Sequence, residues 1–143
     1  MLQPRKILGL AGYAGSGKTS IAAEVGRRNN YVMLAFADEV KKIAIQSFGW
    51  DGNKDTRGRR LLQILGTEAG RDYDPDIWIN RLYSQIMKHR RIIVHDVRFD
   101  NEAAFIRNLG GKVIWITRNT AKVGYHRSEH GISHKNIDYT PRS

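Results

Sequence analysis

The chain has 143 residues, of which 41% are hydrophobic, and its formal net charge is +10. This length and composition predict one domain with a packed interior rather than a disordered chain. No apolar run approaches the roughly 20 residues of a membrane span, and no signal-peptide segment precedes the first strand. Cysteine is absent, which excludes disulfides and cysteine-ligated metals. We therefore expect a soluble, cytoplasmic protein.

Positive charge is spread along the chain in short groups such as Arg27-Arg28, Arg57–Arg60 and Lys88–Arg91. An excess of this size favours polyanionic partners, either nucleic acid or phosphorylated small molecules. No run of five or more like charges occurs, so a basic tail of the kind that binds nucleic acid is not evident. We therefore expect no nucleic-acid partner.

Apolar runs of strand length alternate with segments of helical periodicity. The predicted strands are residues 5–11, 31–36, 91–95 (ending in Asp96) and 112–117. The predicted helices are 19–29, 39–48 after an Asp38 N-cap, a stretch from Thr56, one capped by Asp74 before Pro75, and one from Asp100 or Asn101 to Gly110. This order predicts an α/β fold with a parallel sheet and helices on both faces. Residues 118–143 lose the periodicity and are predicted as a loop or mobile segment.

The stretch Gly12–Thr19 has the spacing G-x-x-x-x-G-K-[ST] and lies between a predicted strand and a predicted helix. There, a glycine-rich turn leaves backbone N–H groups free to hold phosphate oxygens at the helix N-terminus. Lys18 is expected to reach the β- and γ-phosphates, and Thr19 to ligate Mg²⁺. The residues predicted to bind ATP are Gly12, Ala14, Gly15, Ser16, Gly17, Lys18, Thr19 and Ser20.

Asp96 follows the apolar run Arg91–His95, which is the form of a Walker B element. An acid at the carboxyl end of a central strand lies at the sheet edge where ligands bind, so Asp96 is a candidate Mg²⁺ ligand, directly or through water. The alternative is that Asp96 only caps a turn. Arg98, two residues further on, is equally consistent with a salt bridge and with a substrate contact.

Arg60, Gln63, Thr67 and Arg71 recur at spacings of three or four residues, so a helix would carry them on one face. Guanidinium groups and an amide on one face suit a phosphate and the edge of a base, because the planar guanidinium pairs with two oxygens. A solvated basic face is the alternative.

Four blocks of the sequence together resemble the bacteriophage-type deoxynucleoside monophosphate kinases of the P-loop nucleoside kinase superfamily. The blocks are Gly12–Thr19, Phe36–Lys41, Arg60–Glu68 with Arg71 and Trp78, and Asp96–Ala103. The last two are the specific ones, because phosphate loops occur in many families. A weaker match, His126–Glu129, is similar to the lid of these kinases. The resemblance implies a P-loop three-layer sandwich in one domain: a core over 5–117, acceptor-binding helices near 50–88, and a mobile C-terminal lid over 118–143.

The resemblance implies transfer of the γ-phosphate of ATP, with Mg²⁺, to a deoxynucleoside monophosphate (dNMP), giving a diphosphate and ADP. By position, it implies that Lys18, Asp38, Arg118 and Arg127 are catalytic, the two arginines belonging to the lid. It places the acceptor beside Asp38, Lys41, Arg60, Gln63, Thr67, Arg71, Trp78 and Arg98. It also allows a homodimer, and a location in the host cytoplasm if a phage encodes the chain.

Two other functions remain open at this point. One is a small-metabolite kinase similar to dephospho-coenzyme A kinase, which would share the phosphate loop and Asp38. The other is a DNA-binding P-loop ATPase, which the net charge favours and the absence of a concentrated basic tract disfavours. The family continues past the lid where this sequence stops, so the chain is either a short member or truncated.

Overall fold

A computed structural model of the protein describes residues 5–13, 15–117 and 132–138. The strands are β1 (Lys6–Ala11), β2 (Val32–Leu34), β3 (Arg91–Val97) and β4 (Lys112–Trp115). The α-helices are α1 (Lys18–Asn29), α2 (Phe36–Phe48), α3 (Thr56–Gln63), α4 (Ile77–Ile86) and α5 (Asp100–Asn108). A π-helix, Ile64–Arg71, continues α3, and a short 3₁₀ turn forms at His134–Asn136.

The four described strands form a parallel sheet in the order β2-β3-β1-β4. β1 lies in the interior of this sheet between β3 and β4, so the turn after Ala11 opens at its carboxyl edge. β3 is its other inner strand, and Asp96 lies near its carboxyl end. The sheet therefore brings the phosphate loop and Asp96 to the same edge, as parallel α/β sheets do for their ligand sites.

Hydrophobic residues cover both faces of the sheet. On one face, Ile92 and Val94 of β3 belong to a core that also contains Phe36 and Leu82 of the helices. On the other face, Ile93 belongs to a second core. This second core also includes Leu10, Ala22 and Ile116. Successive residues of a strand point to opposite faces, so these two cores define a sheet between two helix layers and confirm the predicted three-layer α/β fold.

The part of the predicted lid that the structure describes, residues 132–138, is held against α5 and β4. Asp100 accepts hydrogen bonds from the backbone N–H and the hydroxyl of Ser133 and from the side-chain amide of Asn136, at 2.6–2.8 Å. Asp138 exchanges hydrogen bonds with Val113, through its carboxylate and its own N–H, each at 2.8 Å. Most of the predicted lid, residues 118–131 and 139–143, lies outside the described residues.

Two predicted element boundaries are wrong. The helix predicted to start after Asp74 begins at Ile77, because Asp74 uses its carboxylate to close a turn onto the N–H of Asp76 at 3.0 Å. The second strand ends at Leu34 rather than residue 36, since α2 begins at Phe36. In the part of the chain that the structure describes, no helix is long and apolar enough to cross a bilayer.

Candidate active site

The phosphate loop joins β1 to α1 in the predicted strand–loop–helix arrangement. Its conformation requires glycine at two positions in particular. Gly17 precedes α1 with a φ of 95°, a left-handed conformation that side chains disfavour. A Cβ on Gly12 would lie 2.9 Å from the Ser16 hydroxyl and closer still to the carbonyl of Ile116. Ala14, also predicted to bind ATP, lies outside the described residues.

Lys18 and Ser16 supply the polar side chains inside the loop. The Lys18 ammonium group donates hydrogen bonds to the carbonyls of Gly12 and Tyr13. The hydroxyl of Ser16 is buried and has no hydrogen-bond partner among the described residues. A buried polar atom without a partner is costly, and a phosphate oxygen would satisfy it. The loop therefore fits a phosphate chain at the N-terminus of α1, where Gly15–Ser20 and Arg98 line a cavity of about 380 Å³.

Asp96 caps helix α2 from the neighbouring strand. Its two carboxylate oxygens accept hydrogen bonds from the backbone N–H groups of Phe36, at 2.8 Å, and Ala37, at 2.9 Å. The first N–H groups of a helix have no partner within the helix, and a negative charge there is favourable. The contacts of Asp96 are therefore those of a cap. A metal-binding role for Asp96 stays a prediction.

The cap from Asp96 also corrects the prediction for Asp38. Because α2 begins at Phe36, Asp38 is the third residue of the helix rather than its N-cap, and its carboxylate accepts the N–H of Ala35 at 3.0 Å. Asp38 is not among the residues that line the cavity described below. Its catalytic and substrate-binding roles stay predictions.

His95 contacts the phosphate loop, which the sequence analysis did not foresee. Its ring Nδ1 and the hydroxyl of Thr19 share a hydrogen bond of 3.4 Å. Thr19 and Asp96, the two predicted metal ligands, both line the same cavity as His95. A hydroxyl and a carboxylate are hard oxygen donors of the kind that Mg²⁺ prefers, so these residues fit that ion. The proximity of His95 to Asp96 in sequence was the available signal for its position.

Beside the phosphate loop, a cavity of about 470 Å³ opens between β3, α2 and the π-helix. We call it the cationic cavity, because five lysine and arginine residues line it against one carboxylate among the described residues, that of Asp96. Its lining is Lys18, Thr19, Ala35, Ala37, Val40, Lys41, Lys54, Leu62, Gln63, Gly66, Thr67, Arg71, His95, Asp96 and Arg98. Of the nine predicted acceptor-binding and metal residues outside the loop, the structure brings six together here, namely Lys41, Gln63, Thr67, Arg71, Asp96 and Arg98.

Arg60 is separated from the other predicted residues of its helix face. Gln63, Thr67 and Arg71 line the cationic cavity, whereas Arg60 lies in a different groove with Leu61 and its guanidinium contacts Glu68 at 3.3 Å. The prediction assumed α-helical spacing throughout. From Ile64 the chain forms a π-helix, and its wider turn aligns residues that are four apart. Arg60 lies before Ile64, so it does not share this alignment.

Trp78 lies in the core rather than in the cavity, which corrects its predicted contact with the acceptor. Only 2% of the residue is exposed, and its indole N–H donates to the carbonyl of Gly66 at 2.8 Å. Gly70 makes room for it, since a Cβ there would lie 2.8 Å from the indole ring. The match of Trp78 to the family block therefore reflects packing of α4 against the π-helix.

Arg71 is fixed in the cavity wall by three contacts. Its guanidinium donates to Glu102 at 2.8 Å and to the carbonyl of Gly66 at 2.9 Å, and it stacks 4.5 Å from the ring centroid of Phe99. Glu102 is fully buried and also accepts the backbone N–H of Arg98 at 2.9 Å. Burial raises the pKa of the Glu102 carboxyl above its usual value, and the charge of Arg71 opposes that shift. One buried carboxylate thus supports two arginines of the cavity.

Lys54, in the loop between α2 and α3, is a cavity residue that the sequence analysis missed. The pKa of its ammonium group is lowered, first by the positive charge of Lys41, then by partial burial, and further by Arg59 and Arg98. A lysine whose pKa is lowered by neighbouring cations in a cavity is a physical signal of an anion site. A single lysine in a polar loop carries no such signal in the sequence.

Arg98 lies where the two cavities meet. It lines the phosphate-loop cavity as well as the cationic cavity, and Lys18 and Thr19 do so too. A group bound by the loop and a group bound in the cationic cavity would therefore share these three residues. The two other predicted catalytic arginines, Arg118 and Arg127, lie outside the described residues.

Comparisons with known proteins agree on one kind of enzyme. The family model described as "Deoxynucleotide monophosphate kinase" matches residues 45–140. A protein of Acanthamoeba polyphaga mimivirus named "Putative deoxynucleotide monophosphate kinase" is 32% identical to this chain. The match covers 78% of this chain and 74% of that protein.

Three solved structures of kinases match the chain at low sequence identity. A protein of Chloroflexus aurantiacus named a "putative kinase" is 16% identical with a TM-score of 0.45, covering 81% of this chain and 61% of its own. A gluconokinase of Sinorhizobium meliloti is 16% identical with a TM-score of 0.41, covering 78% and 57%. The APS kinase CysC of Mycobacterium tuberculosis is 14% identical with a TM-score of 0.41, covering 83% and 84%.

Proposed function

The chain belongs to the deoxynucleotide monophosphate kinase family, and we propose that it transfers the γ-phosphate of ATP to the phosphate of a dNMP, giving the diphosphate and ADP. The observation that carries this proposal is the pair of adjoining cavities that share Lys18, Thr19 and Arg98. One cavity contains the phosphate loop, and the other has the size and charge for a phosphorylated small molecule. A phosphoryl group passing between two nucleotides would need this arrangement.

On the donor side, the phosphate loop would hold the ATP phosphates. The groups that line this cavity are those of Gly15–Ser20, including the unpartnered hydroxyl of Ser16 and the ammonium group of Lys18, which donates to two loop carbonyls. Thr19 and Asp96 would hold Mg²⁺, which when bound would neutralise charge on the transferring phosphates. Because each Asp96 oxygen already accepts one N–H from α2, the carboxylate is held in place before any ligand arrives.

On the acceptor side, Gln63, Thr67 and Arg71 line the cationic cavity from α3 and the π-helix, and Lys41 and Arg98 line it from other parts of the fold. Arg71 is held in the wall by Glu102, so its remaining N–H groups can bind a ligand without first being ordered. The cations would hold the acceptor phosphate against its repulsion from the donor phosphates.

The reaction needs little covalent help from the protein. An oxygen of the acceptor phosphate attacks the γ-phosphorus, the bond between that phosphorus and the β–γ bridging oxygen breaks, and ADP leaves with the electron pair. The attacking phosphate is already ionised near neutral pH, so a strong general base is not required. The protein positions the two phosphates and stabilises charge between them, which we assign to Lys18 and Arg98 and, in the lid, to Arg118 and Arg127.

The test is ADP formation from ATP and Mg²⁺ with dAMP, dCMP, dGMP and dTMP offered separately, beside a control without acceptor. Acceptor-dependent ADP is expected with at least one of them, and ADP formation that none of them stimulates would contradict the proposal. Arg98→Met should lower kcat by about 10³-fold, because an arginine at the transferring phosphate is worth at least that much. Arg28→Met, whose exposed side chain pairs with Glu24 on α1, is the control and should leave kcat unchanged.

Three further points stay predictions. These are a cytoplasmic location (that of the host if a virus encodes the chain), a homodimeric assembly, and action on free nucleotides rather than nucleic acid. Size-exclusion chromatography with light scattering tests the second. Stimulation of ADP formation by DNA would contradict the third.

A further inference from the structure

Two lysines from different elements contribute to the wall of the cationic cavity. Lys41 belongs to α2 and Lys54 to the loop before α3, and both line the cavity. The positive charge of Lys41 is the largest cause of the lowered pKa of Lys54, so the two cations lie near each other. Within the described residues, neither has a carboxylate within ion-pair distance. The fold therefore concentrates positive charge at a point where the described structure supplies no counter-charge.

Two of the three other cations of the cavity, Lys18 and Arg71, already have protein partners. Lys18 donates to two carbonyls of the phosphate loop. Arg71 is bound by Glu102 and Gly66. Lys41 and Lys54 have no hydrogen bond to a carbonyl or carboxylate among the described residues, so their N–H groups remain for a ligand with several acceptor oxygens.

We propose that Lys41 and Lys54 together bind the doubly charged terminal phosphate of the acceptor, and so select phosphate monoesters over singly charged or uncharged analogues. This inference rests on the proposed function and assigns to Lys54 a binding role within it. Two ammonium groups next to each other repel, and a dianion placed between them removes that repulsion, whereas a monoanion removes less of it. The lowered pKa of Lys54 has the same origin and supports the argument.

The experiment measures steady-state KM for the best acceptor among the four common dNMPs, KM for ATP, and the inhibition constant of the phosphate methyl ester of that dNMP. The methyl ester keeps base and sugar but carries one negative charge. The variants are Lys41→Met and Lys54→Met, which keep the aliphatic length. Lys42→Met is the matched control, since Lys42 is the next residue on α2 but pairs with Glu39 at 3.1 Å. Thermal unfolding verifies that each variant is folded.

Each cavity variant should raise the acceptor KM about tenfold, the effect of one lost charge-assisted hydrogen bond, with the ATP KM within about twofold of wild type. The substitutions should weaken binding of the methyl ester less than binding of the dNMP. The preference for the monoester is therefore expected to be smaller in the variants than in the wild type. Lys42→Met should change neither constant. An active enzyme whose Lys54→Met variant keeps both the acceptor KM and the preference for the monoester would overturn the proposal and leave the kinase function standing.

Failure of the kinase function gives a different result, namely a wild-type protein that forms no ADP with any of the four acceptors. Isothermal calorimetry with the same dNMPs then decides the role of the two lysines by itself. About tenfold weaker binding to Lys54→Met than to wild type would support an anion site there. Equal binding, or no measurable binding to wild type, would overturn it.

Discussion

Asp96→Asn tests whether one carboxylate holds α2 against the sheet. The wild-type carboxylate accepts two N–H groups, those of Phe36 and Ala37, and it is buried. Asparagine keeps one acceptor oxygen for one of these backbone N–H groups. Its side-chain NH₂ group lies opposite the other N–H and cannot accept from it. Leaving one buried N–H without a partner costs about 1–3 kcal/mol, and losing the charge at the helix N-terminus costs about 0.3–1 kcal/mol more. We therefore expect a loss of about 2–3 kcal/mol in the free energy of unfolding.

The assay is urea unfolding without nucleotide and with excess chelator, so a metal-binding role of Asp96 cannot contribute. In thermal unfolding, the same loss corresponds to a decrease in Tm of roughly 6–12 °C for a domain of this size. Asp55→Asn is the control, because the exposed Asp55 caps α3 through a single partly buried bond to Gly58 and asparagine is an equally good N-cap. If Asp96→Asn unfolds within about 0.5 kcal/mol of Asp55→Asn, the reasoning about the cap is wrong.

Three more substitutions test the site. Arg71→Met should cost about 3 kcal/mol at neutral pH, because it leaves the buried Glu102 carboxylate without its cation. The pKa of Glu102 is raised in the folded chain, so its contribution to stability is present below 4.5 and is lost as pH rises through the folded pKa. The free energy of unfolding that Arg71→Met loses, measured with urea, should therefore be smaller at pH 5 than at pH 8. A loss that does not change with pH would contradict this. Trp78→Phe should lower the Tm through lost packing and the lost bond to Gly66, with the acceptor KM within about twofold of wild type, whereas a base-contacting tryptophan would raise that KM. Arg60→Met should leave the acceptor KM unchanged, since Arg60 lies outside the cationic cavity, and a KM as high as that of Arg71→Met would show that Arg60 reaches the acceptor.

The phosphate loop and the parallel sheet were predictable from sequence because their signals are local. Gly12–Thr19 lies within one turn between one strand and one helix, and the apolar runs of β1 and β3 alternate with helical segments. The start of α2 was not predictable in this way. Its cap, Asp96, lies 60 residues from Phe36 in sequence, and no local pattern connects the two.

The candidate site was predicted in part, and the error at Arg60 has a physical origin. Gln63, Thr67 and Arg71 face the cavity as their spacing predicted, but Arg60 and Trp78 do not. The prediction placed Arg60 on the same helix face as the first three by assuming the α-helical period throughout. After Gln63 the chain forms a π-helix, which has a different period. Residues that act by proximity of charge, such as Lys54, carry no sequence pattern at all.

The form of the cationic cavity bears on why the chain carries a net charge of +10. A protein that binds nucleic acid presents its cations along an extended groove or stripe that follows the phosphate backbone. Here five lysine and arginine residues line one cavity of about 470 Å³, next to a phosphate loop. A volume of this size holds one small molecule. Under the proposed function, part of the charge excess serves a small polyanion, and added salt should raise the acceptor KM without any DNA present.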